Sequence, residues 1–145
     1  MRSIATRAGL FATILLAGCQ FIPPSNAPKV LAPLDQLRLE WADAYKERQQ
    51  GLMGRQQLAE NAGMMFVFET PKTYCFWMKN TLIPLSIGFI DAQGKLVQIN
   101  HMQPRSLDHH CAQQPILYAL EVNQGWFERN KVRLQTKVLQ PSKSE

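Results

Sequence analysis

A chain of 145 residues with 46% hydrophobic and 19% charged residues can build one domain around one core, and its formal net charge of +5 is too mild and dispersed for a dedicated nucleic-acid binder. Two of the sixteen Lys and Arg residues, Arg2 and Arg7, stand in a leader, and removing them lowers the charge to +3. The sequence has no internal repeat, and no nucleic-acid partner is expected.

The leader comes first. Arg2 and Arg7 give a positive start, Ala8 to Leu16 form a short apolar stretch, and no acid precedes Asp35. Such a stretch is too short to span a bilayer and reads as a signal peptide over residues 1–18. It ends in Leu16-Ala17-Gly18-Cys19, which looks like a bacterial lipobox whose small residues admit the peptidase and whose Cys19 sulfur takes the lipid. Acyl chains on Cys19 would anchor the protein to a membrane without a spanning helix. Gln20, where an Asp favours inner-membrane retention, favours the outer membrane, with the protein facing the periplasm. Residues 19–34 contain Pro23, Pro24, Pro28 and Pro33 and read as an extended, lipidated tether of about 3.1 Å per residue. In an oxidising compartment the two remaining cysteines, Cys75 and Cys111, are expected to form a disulfide, with two buried thiols as the alternative.

Residues 35–145 read as a single domain. Leu37, Leu39 and Trp41 alternate with Arg38 and Glu40, predicting a half-buried strand, and Asp43 is placed to cap a short helix ending near Gly51. Met64 to Phe68 predicts a buried strand and Tyr74 to Lys79 the next, with Tyr74, Phe76 and Met78 on one face and Cys75, Trp77 and Lys79 on the other. Ile87 to Ile90 and Lys95 to Asn100, joined by Asp91-Ala92-Gln93-Gly94, predict a hairpin. His101 to Pro115 reads as a loop. Ile116 to Val122 and Val132 to Leu139 read as strands, with a turn or short helix near Trp126 to Asn130. About seven short strands with one or two short helices predict an all-β class, a β-sandwich or distorted barrel.

The run from Phe76 to Leu85, with Trp77-Met78-Lys79-Asn80-Thr81 at its centre, joins Gly51-Leu52-Met53-Gly54-Arg55 and Gly63-Met64-Met65-Phe66-Val67-Phe68 in a distinctive set. Together they resemble the prokaryotic domain-of-unknown-function 192 family, for which no activity is established. The resemblance implies the same all-β class. Two departures stand out. The family continues past the proline with Leu-Asp where this chain has Leu85-Ser86, and its late Gly-Asp is replaced by Gln135-Thr136.

Chemistry is sparse. Pro84 ends the strand before it, so Lys79, Asn80 and Thr81 project at a strand end where a site can be built. Lys79 could meet an anionic group with Asn80 and Thr81 as hydrogen-bond partners; alternatively Lys79 lies over Trp77 while Asn80 and Thr81 satisfy turn backbone. Trp77 could be a stacking platform or a core residue. Glu121 stands in an apolar strand where an acid is costly unless paired, and Arg55 or Lys79 is the expected partner. Arg55, Trp77, Lys79, Asn80, Thr81 and Glu121 are therefore the candidate ligand-binding residues. His109 and His110 are weak metal candidates, for copper at most, since no spacing matches a defined metal motif. There is no serine elbow, zincin helix or phosphate loop, and no cofactor is expected. These residues point to a lipid-anchored envelope module that binds a small molecule, an envelope polymer or a protein. The alternatives are an envelope hydrolase using two of the carboxylates Glu69, Asp91, Asp108 and Glu121, and periplasmic copper handling.

Overall fold

The computed structural model describes residues 22–142, so the signal peptide, the lipobox and Cys19 lie outside the described residues. In chain order the strands are β1 (Lys29–Val30), β2 (Arg38–Ala42), β3 (Ala62–Lys72), β4 (Cys75–Phe76), β5 (Leu85–Ile90), β6 (Leu96–Met102), β7 (His110–Cys111), β8 (Ile116–Asn123) and β9 (Leu139–Gln140). Helix α1 (Tyr45–Gln50) follows β2 and α2 (Trp126–Arg129) follows β8. Among the described residues no helix is long and apolar enough to cross a membrane.

Five strands make one open sheet in the order β2-β3-β8-β5-β6, with β2 parallel to β3 and every other pair antiparallel. Two small ribbons, β1 with β9 and β4 with β7, complete the all-β fold. The sheet carries core on both faces. On one, Met65, Ile90, Leu96, Leu120 and Val122 pack under Leu34, Trp126, Phe127 and Leu139. On the other, Met64, Phe66, Leu85, Ile87, Phe89 and Ala119 pack under Leu52, Phe76, Met78 and Ala112. Burying a large apolar side chain contributes about 1.5–3 kcal/mol, so these two layers supply the main drive to fold. They also explain why all six residues of β5 are buried, the pattern of a strand covered on both sides.

The sandwich layering and its short helices match the sequence pattern, but several boundaries differ. The strand expected over Tyr74 to Lys79 shrinks to Cys75–Phe76, because the Met78 N–H leaves the ribbon for the Ser106 carbonyl and Thr81 turns back onto Met78. Its alternation survives: Tyr74, Phe76 and Met78 point inward while Cys75, Trp77 and Lys79 are exposed. The expected strand Val132 to Leu139 is reduced to Leu139–Gln140, since Gln135 takes a φ of 67° and breaks the ladder. The presumed loop His101 to Pro115 contains the end of β6 and all of β7. Within the stretch read as a tether, Lys29 and Val30 pair with Gln140 and Leu139, and Leu34 is fully buried. Asp43 does not cap α1; instead the Glu47 carboxylate reaches back to accept the Asp43 and Ala44 N–H groups at 3.2 and 3.0 Å. Gly94, at φ 82°, is required where β9 crosses the hairpin turn, because a Cβ there would lie 1.9 Å from the Leu139 carbonyl oxygen.

Cys75 and Cys111 face each other across β4 and β7 and are joined by a disulfide. The bridge spans 36 residues. A loop of that length predicts a loss of about 3–4 kcal/mol when both cysteines become serine. Urea unfolding of the Cys75→Ser, Cys111→Ser variant should show this as a lower midpoint, and an unchanged midpoint would count against the cross-link.

Candidate functional site

The β4–β7 ribbon and α1 do not close completely over the sheet. Between them and the sheet lies a cavity of about 270 Å³, lined by α1, β3, β4 and β8. Gly51 shapes it. At φ 47° it ends α1 and turns the chain under the helix, and the point its side chain would occupy lies 3.4 Å from Phe66 Cζ and 3.9 Å from Glu121 Oε2.

The wall is aromatic. Phe66 and Phe76 stand edge to face, with centroids 5.1 Å apart and planes at 85°, and Phe68 stacks on Tyr74 at 3.6 Å. These rings meet because β3 and β4 each send alternate residues to the same face. At the mouth, Arg48 lies 5.5 Å above the Phe68 ring. Its guanidinium donates to the Asp43 carbonyl, to the Val67 carbonyl at 3.0 Å and to Glu69 Oε1 at 2.8 Å, tying α1 to β3. The Glu69 carboxyl is held below the usual carboxylate range, first by its own backbone N–H and then by Arg48.

Glu121 lines the same cavity. In β8 its neighbours Leu120 and Val122 point to the opposite core, so alternation turns Glu121 toward the face that holds Met64 and Ile87, its register partners. It is 5% exposed. Arg48, Arg55 and His101 form ion pairs with Glu69, Glu40 and Glu128 respectively, and no described residue forms one with Glu121. Desolvation pushes its carboxyl up to about 8.

Of the six candidate residues, Trp77, Thr81 and Glu121 line this cavity; Arg55, Lys79 and Asn80 do not. The expected pairing of Glu121 with Arg55 or Lys79 is not formed. The Arg55 guanidinium grips Glu40 with two nitrogens, Nη1 reaching Oε1 at 2.7 Å, because β2 brings Glu40 beside the turn that carries Arg55. Lys79 holds its ammonium 5.4 Å from the centroid of the Trp77 ring. Asn80 serves the turn, accepting the Gly54 N–H on its carbonyl at 2.9 Å. Thr81 is buried and closes the same bend through backbone bonds to Met78 and Arg105.

Ser86 faces the opposite core. Its Oγ accepts the Gly125 N–H at 2.9 Å and is hydrogen-bonded to His101 Nδ1 at 2.9 Å, while His101 Nε2 lies 3.2 Å from Glu128. The position where the family carries Asp therefore anchors α2. His109 packs against Trp77 at 6.2 Å and His110 pairs with Phe76 across the ribbon. Among the described residues no three His, Cys, Asp or Glu side chains converge as a metal site, and the disulfide takes both cysteines out of any ligand set. Sequence reasoning missed Arg48, Tyr45 and the ring wall. The period-2 pairing of Phe66 with Phe68 and of Tyr74 with Phe76 was the available signal.

The Glu121 carboxyl titrates near 4.5 when the chain is unfolded and near 8 when it is folded. The native state therefore holds a proton the unfolded chain has lost, and stability falls as pH rises between those values. The expected slope is about 1.4 kcal/mol per pH unit, levelling above the folded value. In Glu121→Gln this component disappears, so the wild-type urea midpoint should fall relative to that of the variant from pH 5 to pH 8. Parallel pH profiles for the two proteins would refute the assignment.

Solved structures share this fold. A Sinorhizobium meliloti protein named as a candidate transcription regulator is 35% identical with a TM-score of 0.67, the alignment covering 71% of this chain and 80% of that one. A Novosphingobium aromaticivorans protein of unknown function is 29% identical with a TM-score of 0.68, covering 79% of this chain and 93% of that one. No curated protein matches the chain. Residues 30–139 match the family described as an uncharacterized ACR, and the chain belongs to this domain-of-unknown-function 192 family.

Proposed function

We propose that this chain is a binding module: a lipid-anchored domain facing the periplasm, held at the outer membrane through Cys19, that takes a small molecule or one end of a longer one over Glu121. The observation that carries the reading is Glu121 itself, a 5% exposed carboxyl lining the cavity without an ion pair to any described residue. Burying an acid unpaired is costly, and groups so perturbed cluster at functional sites. A concave cavity that combines an aromatic wall with convergent polar groups is a common form of small-ligand site. The anchor and location are supported by the leader and by Leu16-Ala17-Gly18-Cys19.

A carboxylate hydrolase has less support. Glu69 and Glu121 both line the cavity, but Glu121 lies opposite Met64 and Glu69 is five residues further along β3. Glu69 is also 72% exposed and bound to Arg48 at the mouth. Copper handling loses its soft ligands to the disulfide.

Thermal-shift screening with small polar and charged compounds tests the binding reading. Compounds that raise the Tm of wild type should lose most of that effect in Glu121→Gln and keep it in Lys79→Ala, because Lys79 stands outside the cavity. Equal shifts in wild type and Glu121→Gln would place binding elsewhere. For the anchor, Cys19→Ala should move the protein from the membrane fraction to the soluble periplasm; retention in the membrane fraction would refute lipidation at that sulfur.

A further inference from the structure

We propose that the cavity selects an organic ammonium ion, the charged end of a small amine, with its N–H groups on the Glu121 carboxylate and its charge against the Phe66 and Phe76 rings. This rests on the binding reading above and names the ligand class. An ionised carboxylate only accepts hydrogen bonds, so an unpaired one needs a ligand that brings donors. An ammonium brings donors and the opposite charge together, and charge-assisted hydrogen bonds are about twice as strong as neutral ones. The ring arrangement fits the same class. Phe66 and Phe76 meet at 85°, forming a corner of face and edge in the cavity wall. Phe66 Cζ and Glu121 Oε2 lie 3.4 and 3.9 Å from the position a Gly51 side chain would take, and both residues line the cavity, so ring and carboxyl are neighbours on one stretch of its wall. Ring faces attract cations through their quadrupole, and this protein already uses two neighbouring rings so, Arg48 over Phe68 and Lys79 over Trp77.

The charges around the cavity permit a cation. Besides Glu121, its titratable lining groups are Tyr45 and Arg48 of α1, Glu69 of β3 and Tyr74 before β4. Arg48 is matched by Glu69 at 2.8 Å and committed to two backbone carbonyls, so the acid left without an opposite charge in the lining is Glu121, which a bound cation would ionise. A volume of about 270 Å³ admits a small amine or one amino end of a longer molecule.

Binding a cation ionises Glu121 and expels its proton. With the free carboxyl near 8, affinity rises about tenfold per pH unit at lower pH and levels above that value. The experiment titrates n-butylammonium chloride, 1-butanol and N-acetylglucosamine into wild type and Glu121→Gln at pH 6, 7 and 8, read by NMR shifts of the cavity residues. The expected result is butylammonium binding that strengthens about tenfold from pH 6 to pH 7 and weakens at least tenfold in Glu121→Gln, with 1-butanol weaker and insensitive to pH. Calorimetry of wild type in two buffers of different ionisation enthalpy should show proton release, which keeps the test independent of how the variant folds. Binding of N-acetylglucosamine or 1-butanol in preference to butylammonium overturns the ammonium assignment and leaves the binding reading standing. Butylammonium binding without proton release or pH dependence also overturns it. Silence of the cavity signals to all three probes overturns the ammonium assignment, while the wider screen decides the binding reading separately.

Discussion

Strand β8 occupies the middle of the sheet, hydrogen-bonded to β3 on one side and β5 on the other, with apolar layers above and below. Its residues Tyr118 to Val122 are all buried. A polar residue within that stretch is carried into the interior with its neighbours, and Glu121 sits between Leu120 and Val122. The sheet that stabilises the protein therefore also imposes the electrostatic cost at its centre. The apolar burial around it is large enough to hold an uncompensated carboxyl in place, beneath a cavity that the carboxyl lines.

The remaining structure serves to fix the cavity walls. Arg48 joins α1 to β3 through carbonyls and a carboxylate, while Gly51 lets the chain dive beneath the helix close to the sheet. The far face of the sheet is a different matter. There Ser86, His101 and Glu128 form a polar chain that secures α2 and has no part in the cavity. Ser86, where this chain departs from the family pattern, thus fastens a helix and stands outside the cavity.

Much of the fold was legible because its strands obey a simple period. The hairpin of β5 and β6, the apolar run of β3 and the in–out alternation from Tyr74 to Lys79 can all be read directly from the order of residues. Short ribbons were not legible, since two paired residues such as His110–Cys111 carry no period, and β1 falls in a proline-rich stretch that resembles a linker. At the site, Glu121 announced itself as an acid among apolar neighbours. Its lack of a partner could not be read, because the choice of Arg55 for Glu40 depends on where parallel β2 lies beside β3. Arg48 was hidden for a similar reason: its partners, Val67 and Glu69, are nineteen and twenty-one residues away.

The disulfide has a mechanical consequence for the roof of the cavity. One side of the cavity is roofed by β4, which is welded to β7 at Cys75 and Cys111 and cannot peel away from it. The other side is roofed by α1, six residues long, held by the Arg48 hydrogen bonds and by packing around Leu52. The two sides therefore differ in how they are fastened, one by a covalent cross-link and the other by the hydrogen bonds of a single guanidinium and apolar packing.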